Sequence, residues 1–326
     1  MLRYVIKRLL WAVVLLLLIS FVTFLLFTVI PDDPARLAAG PNASSDDIER
    51  AQRALVLDRP VYVQYAKFLW RLVGEQSLGR SFATGEGVND VVLNAAPVTA
   101  SVVLGGVLLL LVVSIPIGTF SALRPRSPLD RLVMVYVLVG VSVPTFWIGL
   151  ILAYVVGFKL GWTPIGGYCD FIHPPPKACG GPAAWASHLV LPWAVIGFHY
   201  AALYSRMVRA TVMETMSAEY VRAARAKGAP ERRVLTAHVL RNSMLPILTM
   251  LGMDIGHLLG GAFFVEAVFG LPGLGREAVN AATGTHDYPI IEGIVLFGAA
   301  CVVLLNLITD LAYMRLDPRI AIETRR

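Results

Sequence analysis

The chain has 326 residues, of which 56% are hydrophobic and only 15% charged, and its mean hydropathy is +0.67. A soluble domain carries roughly a quarter charged residues and under half apolar ones, and here the apolar residues fall in long runs rather than in short alternations, as expected when lipid is the solvent. The net charge of +6 is best read through its distribution over loops, not as a nucleic-acid footprint.

The first apolar run covers residues 9–30, with only Ser20, Thr23 and Thr28 polar. At 1.5 Å per residue it is about 33 Å long, enough to cross a hydrocarbon core of about 30 Å. Arg3, Lys7 and Arg8 precede it, as in a secretory leader. A leader's apolar core is only about 7–15 residues, however, and no A-x-A site follows, so the segment reads as a retained anchor. Five further runs, at 99–123, 132–158, 189–207, 245–269 and 290–314, complete an all-α membrane protein of six transmembrane helices. Pro116, Pro144, Pro192 and Pro246 lie within them, which a bundle tolerates when neighbours satisfy the freed carbonyls. The organisation expected is an N-terminus and first helix at 1–30, an external loop at 31–97, a membrane core at 98–314 with a basic loop at 208–242, and a tail at 315–326. Within the external loop, residues 46–57 look helical, with Ser44 or Ser45 as cap and acidic residues in the first turn.

Lys and Arg assign the sides. One face holds Arg3, Lys7 and Arg8, then Arg124, Arg126 and Arg131. The same face holds Arg206, Arg209, Arg222, Arg225, Lys227, Arg232, Arg233 and Arg241, and finally Arg315, Arg319, Arg325 and Arg326. The two short loops on the other face carry only Lys159, Lys177 and Arg276. By the positive-inside rule both termini are cytoplasmic.

The 208–242 loop has helix punctuation. Ser217 is a candidate cap, Glu219 suits a positive helix end, and Arg225 and Lys227 suit a negative one. Gly228 supplies a left-handed stop and Pro230 opens the next helix at its first position. Ala223 and Ala224 leave a surface without bulk, which admits another protein's groove. The alternative is an amphipathic segment lying on anionic lipid.

Inside the membrane, Gly252, Gly256 and Gly260 form a small-residue stripe for close packing, either within the subunit or against a second one. Asp254 and His257, three apart, share a helix face and read either as part of a translocation pathway or as a structural polar pair. Asn306 and Asp310 read as structural. No metal-ligand set is identifiable. Cys169 and Cys179 sit in a loop on the outer face, where an oxidising compartment permits a bridge; two free thiols are the alternative. Cys301 reads as a small apolar filler. An enzyme is a poor fit: Ser142 with His199 or His257 superficially resembles a serine-protease pair, but Val143 and Pro144 follow where a small residue is wanted, and H-E-x-x-H is absent. G-x-x-x-x-G-K-[ST] is absent too, so nothing here cradles nucleotide phosphates.

The loop resembles the EAA loop of ABC-importer permeases, with Arg222 in place of the glutamate and Ala223, Ala224 and Gly228 matching. Its Tyr220-Val221-Arg222 … Ala224-Arg225-Ala226-Lys227-Gly228 run is similar to the dipeptide/oligopeptide/nickel permease branch, in which the usual Leu-Pro is displaced, here to Leu245-Pro246. The resemblance extends to Leu78-Gly79-Arg80-Ser81-Phe82, the 142–149 stretch, Leu160-Gly161-Trp162, the 259–266 stretch, Pro272-Gly273-Leu274-Gly275 and Asp287-Tyr288-Pro289. It also takes in the 306–310 stretch and Asp317-Pro318-Arg319. It implies a type I ABC-importer permease, the first of two permease subunits, in the inner membrane. The implied partners are a second permease subunit, two ATPase subunits or domains that bind ATP and Mg, an extracytoplasmic solute-binding protein touching the 31–97 loop, and the bilayer; no cofactor belongs to this chain. The implied coupling residues are Glu219, Tyr220, Arg222, Ala223, Ala224, Lys227 and Gly228. The implied solute is a di- or oligopeptide, with nickel, glutathione or haem as alternatives.

The charge distribution generates a direct test. A single cysteine at Ser217 should react only from the cytoplasm and one at Ser44 only from outside; labelling of both from one side of intact cells contradicts six spans.

Overall fold

The computed structural model describes residues 2–29, 34–40, 43–54, 57–172, 179–259 and 262–316; Lys177, Gly260 and the basic tail from 317 onward lie outside them. Among the described residues every regular element is a helix, and extended pairing is confined to isolated bridges at Arg80–Gly87 and Asp170–Gly180. The bilayer dictates this, because a helix pairs its backbone groups within its own segment. In chain order the helices are α1 (Leu2–Val29), α2 (Pro34–Ala39), α3 (Ser45–Ala54), α4 (Val61–Val73), α5 (Val88–Leu123), α6 (Pro128–Ser142) and α7 (Thr145–Leu152), which continues as a π-helical turn Ala153–Lys159. Then come α8 (Pro182–Met216), α9 (Glu219–Ala226), α10 (Glu231–Arg233) with the π-helical turn Val234–Leu240, and α11 (Arg241–Leu259). The last are α12 (Phe263–Phe269), α13 (Leu274–Asn280) with the turn Ala281–Thr285, and α14 (Tyr288–Leu316).

Among the described residues five helices are long and apolar enough to cross a membrane, and α6 with the α7 segment makes a sixth span if that bent pair counts as one. The expected continuous helix at 132–158 is thus broken, with a bend of 103°. Val143, extended at φ −94° and ψ 126°, precedes Pro144; proline's ring disfavours the helical region for the residue before it, and proline has no N–H to give. Pro192 and Pro246 instead stay inside α8 and α11.

Other boundaries move outward, because hydropathy marks the part of a helix in lipid and not its capped ends. The second span begins at Val88 rather than 99, and the fourth runs Pro182–Met216 rather than 189–207. The fifth occupies Glu231–Leu259 rather than 245–269: the helix continues upstream of Pro246, which lies inside it, and 263–269 forms the separate α12.

The chain divides into two compact units. The first holds α1–α4, the start of α5, α13 and most of α14. Its core joins Val88, Val92 and Ala95 of α5 to Leu274, Ala278, Ala281, Ile290 and Ile294. Asp287 is fully buried and accepts hydrogen bonds from the Ser81 hydroxyl and from the amides of Phe82 and Ala83, both at 3.2 Å. The Leu-Gly-Arg-Ser-Phe and Asp-Tyr-Pro stretches, far apart in sequence, therefore meet. In the same unit the Tyr65 hydroxyl on α4 donates to Leu17 O at 3.1 Å and lies 2.9 Å from the Ser20 hydroxyl, while its ring meets Phe21 edge-on. Ser44 rather than Ser45 caps α3: Asp47 N donates to its hydroxyl, and both the hydroxyl and the amide of Ser44 donate back to the Asp47 carboxylate. The Ser44 bonds hold that carboxyl below its ordinary pKa, the reciprocal arrangement of a capping box.

The second unit holds the rest of α5, α6–α11, α12 and the end of α14. Here α8 is central. A Cβ on Gly118 of α5 would collide with the Ser205 carbonyl and Val208, and one on Gly140 of α6 would collide with Ala202, so both helices reach α8 at backbone distance. Asp130 of α6 fastens the arrangement. Its carboxylate receives Arg209 of α8 through Nε at 2.7 Å and a terminal guanidinium nitrogen at 3.0 Å. It also receives the Ser121 hydroxyl of α5 and the Arg126 amide.

Removing one partner of a buried ion pair costs about 3–5 kcal/mol, whereas replacing both with apolar or neutral groups costs far less. Arg209→Met should therefore lower the melting temperature of the detergent-solubilised protein markedly, and the Asp130→Asn/Arg209→Met double variant should recover much of that loss. Equal melting of the single and double variants contradicts the clasp.

Candidate functional site

The 208–242 loop is a set of capped, mutually bonded helices rather than an irregular connection. Residue Ser217 closes α8 instead of opening the next helix, since its hydroxyl donates to Glu214 O at 2.7 Å. Ala218 holds the N-cap position of α9 without a side-chain cap. The end of α9 matches expectation: Gly228 is left-handed at φ +78°, its amide donates to Arg225 O at 2.9 Å, and the Ala229 amide donates to Ala224 O at 3.2 Å. That pair of bonds is a Schellman stop, for which a residue without Cβ is favoured. Pro230 stands at the N-cap of α10 rather than at its first helical position.

Three further ties fix α9. Arg225 donates to both carboxylate oxygens of Glu231, at 3.1 and 2.6 Å. Asn242 of α11 donates to the Tyr220 hydroxyl at 2.8 Å. Arg222 donates to Ser217 O at 3.0 Å. Beneath them Val221 is fully buried with Val234, Val239, Tyr204, Val208 and Val212, and Ala224 packs against the same cluster.

That packing separates two residues that read alike in sequence. Ala223 is exposed, together with Glu219, Tyr220, Arg222, Ala226, Lys227 and Gly228, while Ala224 is half-buried. Only Ala223 of the pair offers a free surface; the reason is helical geometry, because Ala224 lies three positions from Val221 and follows it inward.

In the membrane-spanning part, the Tyr204 hydroxyl of α8 donates to Asp254 Oδ2 of α11 at 2.6 Å. Asp254 is half-buried and His257 exposed. Gly252 and Gly256 are buried in α11, and a Cβ at Gly252 would collide with Thr309 of α14, so Gly252 serves a contact within this chain; Gly260 lies outside the described residues. Cys169 and Cys179 are joined by a disulfide with Cα atoms 5.5 Å apart, and His188 Nδ1 lies 3.3 Å from the Cys169 sulfur. Cys301 is free and half-buried. The residues that sequence reasoning did not bring together are Asp130 with Arg209, Glu231 with Arg225, Asn242 with Tyr220, and Tyr204 with Asp254. Each joins positions on different helices, for which spacing carries no signal.

Long apolar helices stitched by a few buried polar contacts, with one capped basic loop, define a polytopic α-helical membrane protein. The chain matches the family described as binding-protein-dependent transport system inner membrane component over residues 114–322, and that family's N-terminal component over residues 1–103. A Brucella abortus protein named as a peptide transport system permease is 35% identical over 316 residues, covering 97% of this chain and 98% of its own. The oligopeptide transport system permease protein AppB of Bacillus subtilis is 36% identical over 330 residues, 98% of this chain and 99% of its own. The glutathione transport system permease protein GsiC of Escherichia coli is 36% identical over 321 residues, with the same coverage. Among solved structures, the inward-facing MetNI methionine ABC transporter aligns at a TM-score of 0.52 and 17% identity, over 70% of this chain and 96% of the other, which shows the fold. This chain belongs to the binding-protein-dependent transport system inner membrane component family and is a transport permease, not an enzyme.

The disulfide yields a prediction. In the chain-entropy model a loop of this length contributes about 2–3 kcal/mol. Mass spectrometry of alkylated, non-reduced peptides should recover the 169 and 179 peptides linked; quantitative alkylation of both thiols without reduction rules the bond out.

Proposed function

We propose that this permease carries di- or oligopeptides across the inner membrane as one half of the membrane channel of an ABC importer. Both termini face the cytoplasm, as the Lys and Arg distribution favours. A second permease subunit completes the pathway, and two ATPase subunits bind ATP and Mg and supply the energy. A solute-binding protein delivers cargo to the outer face, where the segment around α2–α4 offers soluble surface. The names of the relatives support a peptide cargo, and a glutathione importer among them keeps the broader class of small peptide-like solutes in view.

The observation that carries the mechanism is the immobilised α9, whose outward face presents Ala223 between Glu219, Arg222, Ala226 and Lys227. A helix that transmits force must be rigid at its base and free of bulk at its contact. Here the Schellman turn, the Arg225–Glu231 pair and the Tyr220–Asn242 bond supply rigidity. α8 enters α9 at one end, and α10, the π-helical turn and α11 leave it at the other. Displacement of α9 by an ATPase is thereby transferred to two membrane helices at once.

Ala223→Asp should abolish uptake and lose the ATPase in co-purification, because an unpaired carboxylate would be buried in the contact, while the permease still inserts and pairs. Ala224→Asp should act differently, destabilising the loop itself. Gly228→Val should retain some ATPase yet fail to couple hydrolysis to transport, since a β-branched residue resists the left-handed conformation. Normal co-purification, binding-protein-stimulated ATP hydrolysis and peptide uptake in Ala223→Asp and Gly228→Val would show that α9 is only a membrane-surface helix.

A further inference from the structure

The side chain of Asp254 is half-buried and uses only part of its hydrogen-bonding capacity. It sits five residues from the end of α11, within the span Glu231–Leu259. Oδ2 accepts the Tyr204 hydroxyl at 2.6 Å; among the described residues no hydrogen bond reaches Oδ1, and no ion pair involves this carboxylate. A carboxylate has roughly four acceptor positions, so most of its capacity is open. An ionisable group at membrane depth faces a cavity or a partner, because exposure to lipid costs several kcal/mol.

The neighbours shape the open side. Tyr204 is fully buried and holds the carboxylate from α8, and Tyr200, one turn earlier, packs against the same buried cluster as Tyr204. His257, one turn further along α11 on the same face, is exposed. The opposite face of α11 is committed elsewhere: Gly252, two residues and about 200° around the helix from Asp254, packs at Thr309 of α14. The site is thus an oriented anion with one fixed neutral donor from an aromatic side chain, and a histidine follows one helical turn away. That chemistry takes a cation with several N–H donors.

We propose that Asp254, oriented by Tyr204, is the membrane-embedded subsite for the α-ammonium group of the peptide in transit, with His257 as a second acceptor. The proposal rests on the peptide-importer reading above. Peptides and glutathione, the cargoes named for the relatives, share a primary ammonium group with three N–H donors, which matches the open acceptor positions. The contact disfavours passage of solutes without a positive charge.

The test compares selectivity rather than rate alone. The complete importer, in proteoliposomes with its binding protein, takes up a labelled tripeptide or its N-formyl analogue, each at a concentration shown beforehand to saturate the binding protein. Because the binding protein is the same for every permease, its own preference cancels in the ratio of the two uptakes. The wild type should prefer the free amine; in Asp254→Asn that preference should fall about tenfold or more, the value of a charge-assisted hydrogen bond, and Asp254→Glu should restore it. Tyr204→Phe, which keeps the carboxylate but removes its anchor, should reduce the preference partially; it provides the same readout if Asp254→Asn assembles poorly. A preference ratio unchanged in Asp254→Asn and Tyr204→Phe overturns the proposal, including the case in which both uptakes fall together. Absence of peptide uptake by the wild-type complex overturns the importer reading instead, and this subsite with it.

Discussion

A single carboxylate organises the larger unit. Asp130 gathers the end of α5 through Ser121, the intervening turn through the Arg126 amide, and α8 through Arg209. Each partner alone is an ordinary polar side chain or backbone group. Together they satisfy a nearly buried charge that would otherwise be costly, and in doing so they set where two membrane helices meet the third. Everything downstream depends on the position of α8, because its far end leads directly into α9.

From that anchor the path to function is short. Tyr204, Val208 and Val212 of α8 share one cluster with Val221 of α9 and Val234 and Val239 of the π-helical segment. Packing of this kind is bistable rather than compliant: side chains in a dense core move as a group or not at all. The π-helical turn Val234–Leu240 lies where α10 passes into α11, and such bulges often mark helices whose register is under functional strain. The packing thus connects α9 continuously to α11, the helix that carries Asp254, which is what the proposed ATPase contact at α9 requires.

The other unit uses the same physics with different parts. Asp287 pulls the Ser81–Ala83 turn against the start of α14, and the Leu274 amide finds the Thr99 hydroxyl at 2.9 Å. Buried polar atoms are costly unless paired, so each of these contacts admits one arrangement of the chain and penalises the alternatives. Lipid supplies no specificity of its own between apolar helices. In both units specificity comes from a handful of carboxylates, hydroxyls and glycines.

The amino-acid sequence by itself determined the solvent, the count of apolar runs, the left-handed stop at Gly228 and, through its motifs, the family. These are local or additive properties: hydropathy accumulates along a run, and Gly228 needs only its own backbone. Tertiary structure alone decided the break at Val143–Pro144 as a bend of 103°, the true start of the fifth span at Glu231, and the division of labour between Ala223 and Ala224. It also decided every pairing that matters, from Asp130 with Arg209 to Tyr204 with Asp254. A proline in a membrane helix is compatible with a kink, a break or neither, depending on which neighbours satisfy the freed carbonyl. A carboxylate's partner is equally hidden, because one residue on α6 and another on α8 share no spacing rule until the helices are brought together.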